Sequence, residues 1–257
     1  MKINYLYRIS DAGNPKVKLP IATKMYCLTN FIQEFKDNIY IFADNCKVDT
    51  VDEIKRLGIT IIEISLGNSA SWRFVVDYAI DNFNSDEFVY LIEDDYIHLP
   101  GALIALKEGL RIADYVTLYD HPDKYIDYRN GGPNPYISHG GELTRVLLTD
   151  NFHWKQTNST TMTFATKVSI LKEDKIIWWK YTDGKIPRDF IAFRKLTNQK
   201  LLFIRKYYRE YLSSYLCFKK KKRILISPVP GLATHAETDL LMPLTFWHNK
   251  NSWEQKL

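Results

Sequence analysis

Cysteine is scarce: Cys27, Cys46 and Cys217 are the only three in a chain of 257 residues. They are far apart and odd in number. That excludes a disulfide framework and any paired-cysteine metal or redox motif, and makes reduced thiols in a cytoplasm the expectation. Long apolar runs are missing too, since no stretch reaches the ~20 apolar residues that a spanning helix needs. The opening MKINYLYRIS has no apolar signal-peptide core. The expected place is therefore cytoplasmic, free or peripheral on the inner membrane face. Glycine is thin at the amino end, where Gly13 stands alone between Met1 and Lys24, so a Gly-rich phosphate loop is absent there. With no internal repeat and no clear linker, one domain over 1–257 is expected.

What is present suits a folded α/β chain. The apolar fraction is 46% and the charged fraction 25%, ordinary values for a globular protein with a sizeable core. The formal net charge of +5 favours anionic partners such as nucleotide phosphates, acidic glycolipids or an anionic membrane surface. It is too diffuse to indicate nucleic acid, and no nucleic-acid partner is expected.

The first half alternates strand-like and helix-like segments. Strands are predicted over Lys2–Ile9, Asn38–Ala43, Ile59–Ile64 and Glu87–Ile92. Helices are predicted over Lys24–Phe35, Asp49–Leu57 and Trp72–Phe83, with Gly58 closing the second. Short apolar strands separated by helices imply a mostly parallel sheet covered on both faces. Such sheets bind ligands beyond the carboxyl ends of their strands. Asp44, Asn45 and the run Glu93–Asp94–Asp95 fall at those ends. The second half is less regular. Helices are predicted over Leu99–Ile112, Lys167–Lys172 and Arg188–Leu196. Strands are predicted over Tyr115–Leu118, Thr144–Thr149, Thr160–Ala165 and Arg223–Ser227, and a loop over 120–141.

The sharpest signal is VYLIEDDYIHLPGAL, residues 89–103. Three adjacent acids at the end of a buried strand repel one another and raise each other's pKa. A divalent cation removes that penalty, and hard carboxylate oxygens suit Mg²⁺ or Mn²⁺. The plainer alternative is an acidic turn that caps the next helix. The segment resembles the DXD-type metal motif of GT-A fold glycosyltransferases, in an EDD form. The resemblance implies a Rossmann-like, mostly parallel central sheet flanked by helices. Residues 1–98 would bind a nucleotide sugar and the less regular 99–257 the acceptor.

It also implies site residues. Asp95 becomes the metal ligand, with Glu93 and Asp94 on the donor. Arg8, Ser10 and Asp44 lie where that fold binds base and ribose. A late histidine often completes the metal site, and His235 in PGLATHAE is the candidate, with His139 and His153 as second choices for acceptor contact. The general base for an inverting transfer is an acid at a helix start, here Asp189 in IPRDFIAF beside Arg188. Read from the residues alone, Asn68, Ser71 and Arg73 open a helix whose amino end would favour a diphosphate. They are equally ordinary caps, as Asp189 is an ordinary helix-start acid. Asn158, Ser159 and Thr160 are further candidates for donor phosphate or acceptor.

Residues 200–223 place Leu201, Ile204, Tyr208, Tyr211, Tyr215 and Phe218 along one helical stripe. The unbroken basic run 219–223 follows. The pattern suits a helix on anionic lipid or a core-facing helix with a solvated end. The expected function is transfer of a sugar from a nucleotide diphosphate sugar to a glycan or lipid-linked glycan, with Mn²⁺ or Mg²⁺ and inversion through Asp189, in surface polysaccharide or glycolipid synthesis. The rivals are a non-catalytic peripheral membrane or glycan-binding protein and a metal-dependent phosphoesterase or nucleotidyltransferase.

Overall fold

The computed structural model describes residues 1–13, 16–132, 134–137, 141–198, 208, 212 and 222–243. The segment 200–223 lies outside the described residues apart from Tyr208, Leu212, Lys222 and Arg223, and so do His139 and Cys217.

Four parallel strands form the amino-terminal half: β1 (Ile3–Ser10), β2 (Ile39–Asp44), β3 (Thr60–Ile64) and β4 (Phe88–Glu93). They lie in the order β3-β2-β1-β4. The β-branched and aromatic residues of β1, β2 and β4 are mostly buried on both faces, as covered parallel strands require, whereas β3 at the sheet edge is only partly covered. Tyr5, Tyr7 and Ile9 of β1 face one core with Phe31 and Phe35 of α1 (Lys24–Phe35). Leu6 faces the other core with Trp72, Val75 and Val76 of α3 (Asn68–Asn82). Thr23 caps α1 by accepting the Tyr26 amide at 3.1 Å. Helix α2 (Val48–Arg56) ends before Gly58, whose φ of +67° suits a residue without Cβ.

The sheet continues through β9 (Phe164–Lys167), β6 (Tyr115–Val116), β10 (Leu225–Pro228), β8 (His153–Gln156) and β7 (Val146–Leu148). The strands β9 and β8 run against the other seven. The sheet is thus mixed, with most strands pointing one way and helices on its faces. Helices α4 (Ala102–Ile112), α5 (Val168–Tyr181) and α6 (Asp189–Leu196) complete the layers. A separate two-stranded ribbon pairs β5 (Tyr96–His98) with β11 (Ala233–His235). Among the described residues no helix is long and apolar enough to cross a membrane.

Two departures from the sequence expectations, and the fate of one alternative, bear on the site. Thr160–Ala165 is not a strand throughout. Thr161 and Met162 take left-handed φ values of +46° and +64°, and pairing starts at Phe164. The acids 93–95 do not cap a helix. They turn directly into β5, and α4 starts only at Ala102. Helix α5 is far longer than Lys167–Lys172 because Leu171, Asp174, Trp178 and Tyr181 bury against the second core and the Arg223 network. Arg223 is 2% exposed. It donates to Asp174 at 2.8 Å and Glu173 at 2.5 Å, while Tyr115 donates to Asp174 at 2.9 Å.

Candidate active site

The parallel register brings the predicted acids and polar residues to one sheet edge. Ser10 lies beside Asp44, and Arg8 lies beside Glu93. The Arg8 guanidinium is a hub. It donates to Asn68 Oδ1 and Ser71 Oγ, both at 2.9 Å, to the Asn68 carbonyl, and to Glu93 in a close ion pair. Arg8, Asn68, Ser71 and Glu93 are therefore one connected group. Burial pushes the Glu93 carboxyl up to about 7, although Arg8 beside it pulls the other way.

Asp94 Oδ2 accepts the Ser10 amide and the Lys24 ammonium, each at 3.0 Å. Asp44 is 2% exposed and accepts the amides of Leu66 at 2.7 Å and Gly67 at 3.0 Å. It fixes the entry into α3 and so the position of Asn68. Arg73 is not with this group. It donates to the Trp179 carbonyl at 2.7 Å and Thr182 Oγ1 at 3.0 Å, tying α3 to α5.

Asp95 and His235 meet because the β5–β11 register sets Tyr96 opposite His235. The Ala236 amide donates to the Asp95 carbonyl at 2.7 Å and extends that pairing. His235 Nε2 lies 3.4 Å from Asp95 Oδ1, with both side chains buried. Burial opposes ionisation of Asp95, but His235, Lys18 and Lys16 around it hold its carboxyl below the usual range. Burial lowers the pKa of the His235 imidazole, against the pull of the Asp95 carboxylate beside it. Its Nδ1 accepts the Glu237 amide at 3.2 Å.

Whether this pair suits a divalent cation can be judged from its free atoms. Asp95 Oδ1 is buried without a hydrogen-bond donor, and it faces Nε2. A carboxylate oxygen and an imidazole nitrogen so placed fit a hard cation that completes its shell with phosphate oxygens and water. Coordination at Nε2 would move the ring proton to Nδ1, so the Glu237 bond would have to give way. Among the described residues no three His, Cys, Asp or Glu side chains converge as a metal cluster. From the described residues a cation here would take two protein ligands, Asp95 and His235.

Asp189 is half-buried at the start of α6 and accepts the Thr160 amide at 2.9 Å. Thr160 and Thr161 in turn contact the Tyr96 hydroxyl. Asp189 therefore joins the acid turn through two residues. The left-handed pair Thr161–Met162 makes this possible, because it turns the chain ahead of β9. Asn158 accepts Lys124 at 2.7 Å, and Ser159 is buried beside it. His153 is exposed on β8, near the far edge of the sheet.

Sequence reasoning missed the lysines. Lys16 and Lys18 both approach Asp95 Oδ2, at 3.5 and 3.3 Å, and Lys16 also pairs with Glu237 at 3.3 Å. The available signal was the alternation Lys16-Val17-Lys18 just beyond β1. It also missed a polar group past β6: the buried pair Lys155 and Asp120 at 2.7 Å, and the half-buried His121 and Asp123 at 2.9 Å.

No family model and no curated protein matches the sequence. Solved structures do match. A crystal structure of GalNAc-T7 with UDP, GalNAc and Mn²⁺ aligns with a TM-score of 0.54 at 12% identity, covering 91% of this chain and 43% of that one. The 2-C-methyl-D-erythritol 4-phosphate cytidylyltransferase of Francisella tularensis aligns at 0.46 with 14% identity, over 94% of both chains. TarS of S. aureus aligns at 0.46 with 10% identity, covering 76% of this chain and 34% of that one. At such identities the likeness speaks to architecture alone, and the GalNAc-T7 alignment carries it: this chain has a GT-A-like α/β fold.

Proposed function

We propose that this chain is a glycosyltransferase that moves a sugar from a nucleotide diphosphate sugar to an acceptor hydroxyl. The observation that carries the reading is the meeting of Asp95 and His235 at the carboxyl edge of the parallel strands, with Asp95 Oδ1 buried and undonated. Asp95 and His235 would hold Mn²⁺ or Mg²⁺. When bound there, the cation supplies Lewis-acid stabilisation of the leaving diphosphate. The Mn²⁺ and UDP in the GalNAc-T7 structure support this reading by analogy of fold.

The chain's own residues have distinct tasks. Arg8 binds the donor side of the cleft, held in place by Asn68, Ser71 and Glu93. Asp94 and Ser10 orient the ribose or sugar, and Asp44 fixes the loop that carries Asn68. Asp189 takes the proton from the attacking acceptor hydroxyl, a contribution on the order of 10²–10⁴ in rate, and the transfer inverts the anomeric centre. The acceptor is a glycan or lipid-linked glycan, met on the 99–257 side. The setting is surface polysaccharide or glycolipid synthesis at the cytoplasmic face of the inner membrane.

The test is calorimetry of nucleotide diphosphates and nucleotide sugars with and without Mn²⁺, on wild type and Asp95→Ala. One nucleotide should bind in a metal-stimulated way, and the variant should lose that stimulation. Binding equally strong in Asp95→Ala removes Asp95 from the site. No nucleotide binding by wild type overturns the reading.

A further inference from the structure

Four cations and five carboxylates crowd the mouth of the cleft. Arg8 pairs with Glu93, Lys24 with Asp94 and Asp11, Lys18 with Asp95, and Lys16 with Asp95 and Glu237. Arg8 and Lys24 have close partners of their own. Lys16 and Lys18 are different. Both point at one oxygen, Asp95 Oδ2, at the longer distances of 3.5 and 3.3 Å. The other oxygen, Asp95 Oδ1, faces His235 Nε2 at 3.4 Å. Both ammonium groups are thus left to share a single carboxylate oxygen at the solvent side of the pair.

The lysine side chains are 38% and 25% exposed, whereas the Asp95 side chain is 7% exposed. They therefore stand between the acid and solvent. Their backbone is fixed. Leu19 donates to the Ala236 carbonyl at 3.0 Å, and Thr238 donates to the Val17 carbonyl at 3.0 Å. Lys18 bridges Glu237 in the same ladder. The segment 16–19 is thus laid against residues 236–238, which directly follow the strand that carries His235, while the flexible four-carbon stems leave the ammonium heads able to turn outward.

We propose that Lys16 and Lys18 are the donor-diphosphate-binding residues of this site, resting on Asp95 when no nucleotide is present. This rests on the transferase reading above and deepens it. A diphosphate entering over Asp95 and His235 meets two ammonium donors already gathered at that point. Charge-assisted bonds to its oxygens replace their loose contacts with Asp95 and, for Lys16, with Glu237. The lysines then share with any cation the task of countering charge on the leaving group.

The experiment measures binding of UDP, CDP, GDP and ADP, and of the matching nucleosides, to the full chain in Mn²⁺ and in EDTA. Wild type is compared with Lys16→Met/Lys18→Met and Lys16→Arg/Lys18→Arg. The double Met variant should lose about tenfold or more in Kd for the preferred diphosphate. Its nucleoside affinity should stay unchanged, and the double Arg variant should keep most of the diphosphate affinity. If the double Met variant does not fold, Lys16→Met and Lys18→Met alone should each show a smaller loss confined to the diphosphate. Diphosphate affinity within twofold of wild type, or an equal loss for nucleoside and diphosphate, overturns the proposal while leaving the transferase reading intact. Failure of wild type to bind any nucleotide overturns both.

Discussion

Lowering the pH from 7.5 to 5 should weaken the fold through His98. This histidine ends β5, the strand that links Asp95 to the ribbon with His235. It is 1% exposed and packed edge-on against Phe31, Phe35 and Tyr90. Its Nε2 lies 3.0 Å from the Tyr90 hydroxyl, and Nδ1 is buried without a partner. Burial alone depresses its pKa from 6.5 to about 3. The unfolded chain therefore takes up a proton below pH 6.5 that the folded chain refuses until near pH 3. Stability tied to His98 is complete above pH 6.5 and is lost as pH falls through that window. Between pH 7.5 and 5 the loss is about 2 kcal/mol, from 1.36 kcal/mol per unit of displaced pKa. His98→Phe should remove this slope. Above pH 6.5 it should also cost about 1–3 kcal/mol, because the Tyr90 hydroxyl loses its partner, and that cost should shrink by about 2 kcal/mol at pH 5. Urea unfolding at both pH values, on both proteins, separates the two effects. Equal pH slopes in wild type and His98→Phe would refute the argument, whatever the absolute stabilities.

Arg223→Met should destabilise by about 3–5 kcal/mol, because it strands the buried Asp174 carboxylate; thermal or urea unfolding measures this. Arg73→Met should lower stability by about 1–3 kcal/mol through the lost Trp179 and Thr182 bonds. Its nucleotide affinity by calorimetry should match wild type, and a specific loss there would return Arg73 to the donor site. Asp189→Asn should reduce turnover by roughly 10²-fold or more while donor binding persists. Loss of donor binding in that variant would mean that Asp189 acts through Thr160 rather than as the base.

Much of the first half could be read from local pattern. Helix α1 has the predicted bounds Lys24–Phe35, and β1 to β4 lie within a residue or two of expectation. Each is a short apolar or amphipathic segment with clear punctuation, and central parallel strands with both faces buried advertise themselves by composition. The acid run 93–95 was legible for the same reason, since three carboxylates at a strand end are chemically conspicuous. The strands β5, β8 and β11 were not legible. They have three or four residues each, too few to show a period, and their identity comes from their partners.

Sequence by itself therefore determined the α/β class, the parallel edge, and the residue types that suit a cation and a phosphate. Tertiary structure decided which of them meet. Asp95 faces His235 because β5 pairs with β11, and Lys16 and Lys18 reach Asp95 because their segment is laid along that ribbon. Arg73, which shares the first turns of α3 with Asn68 and Ser71, points instead toward α5. The reason is physical. Local propensity fixes the backbone of an element, whereas the direction of a charged side chain depends on which neighbour offers an oxygen once the elements have packed.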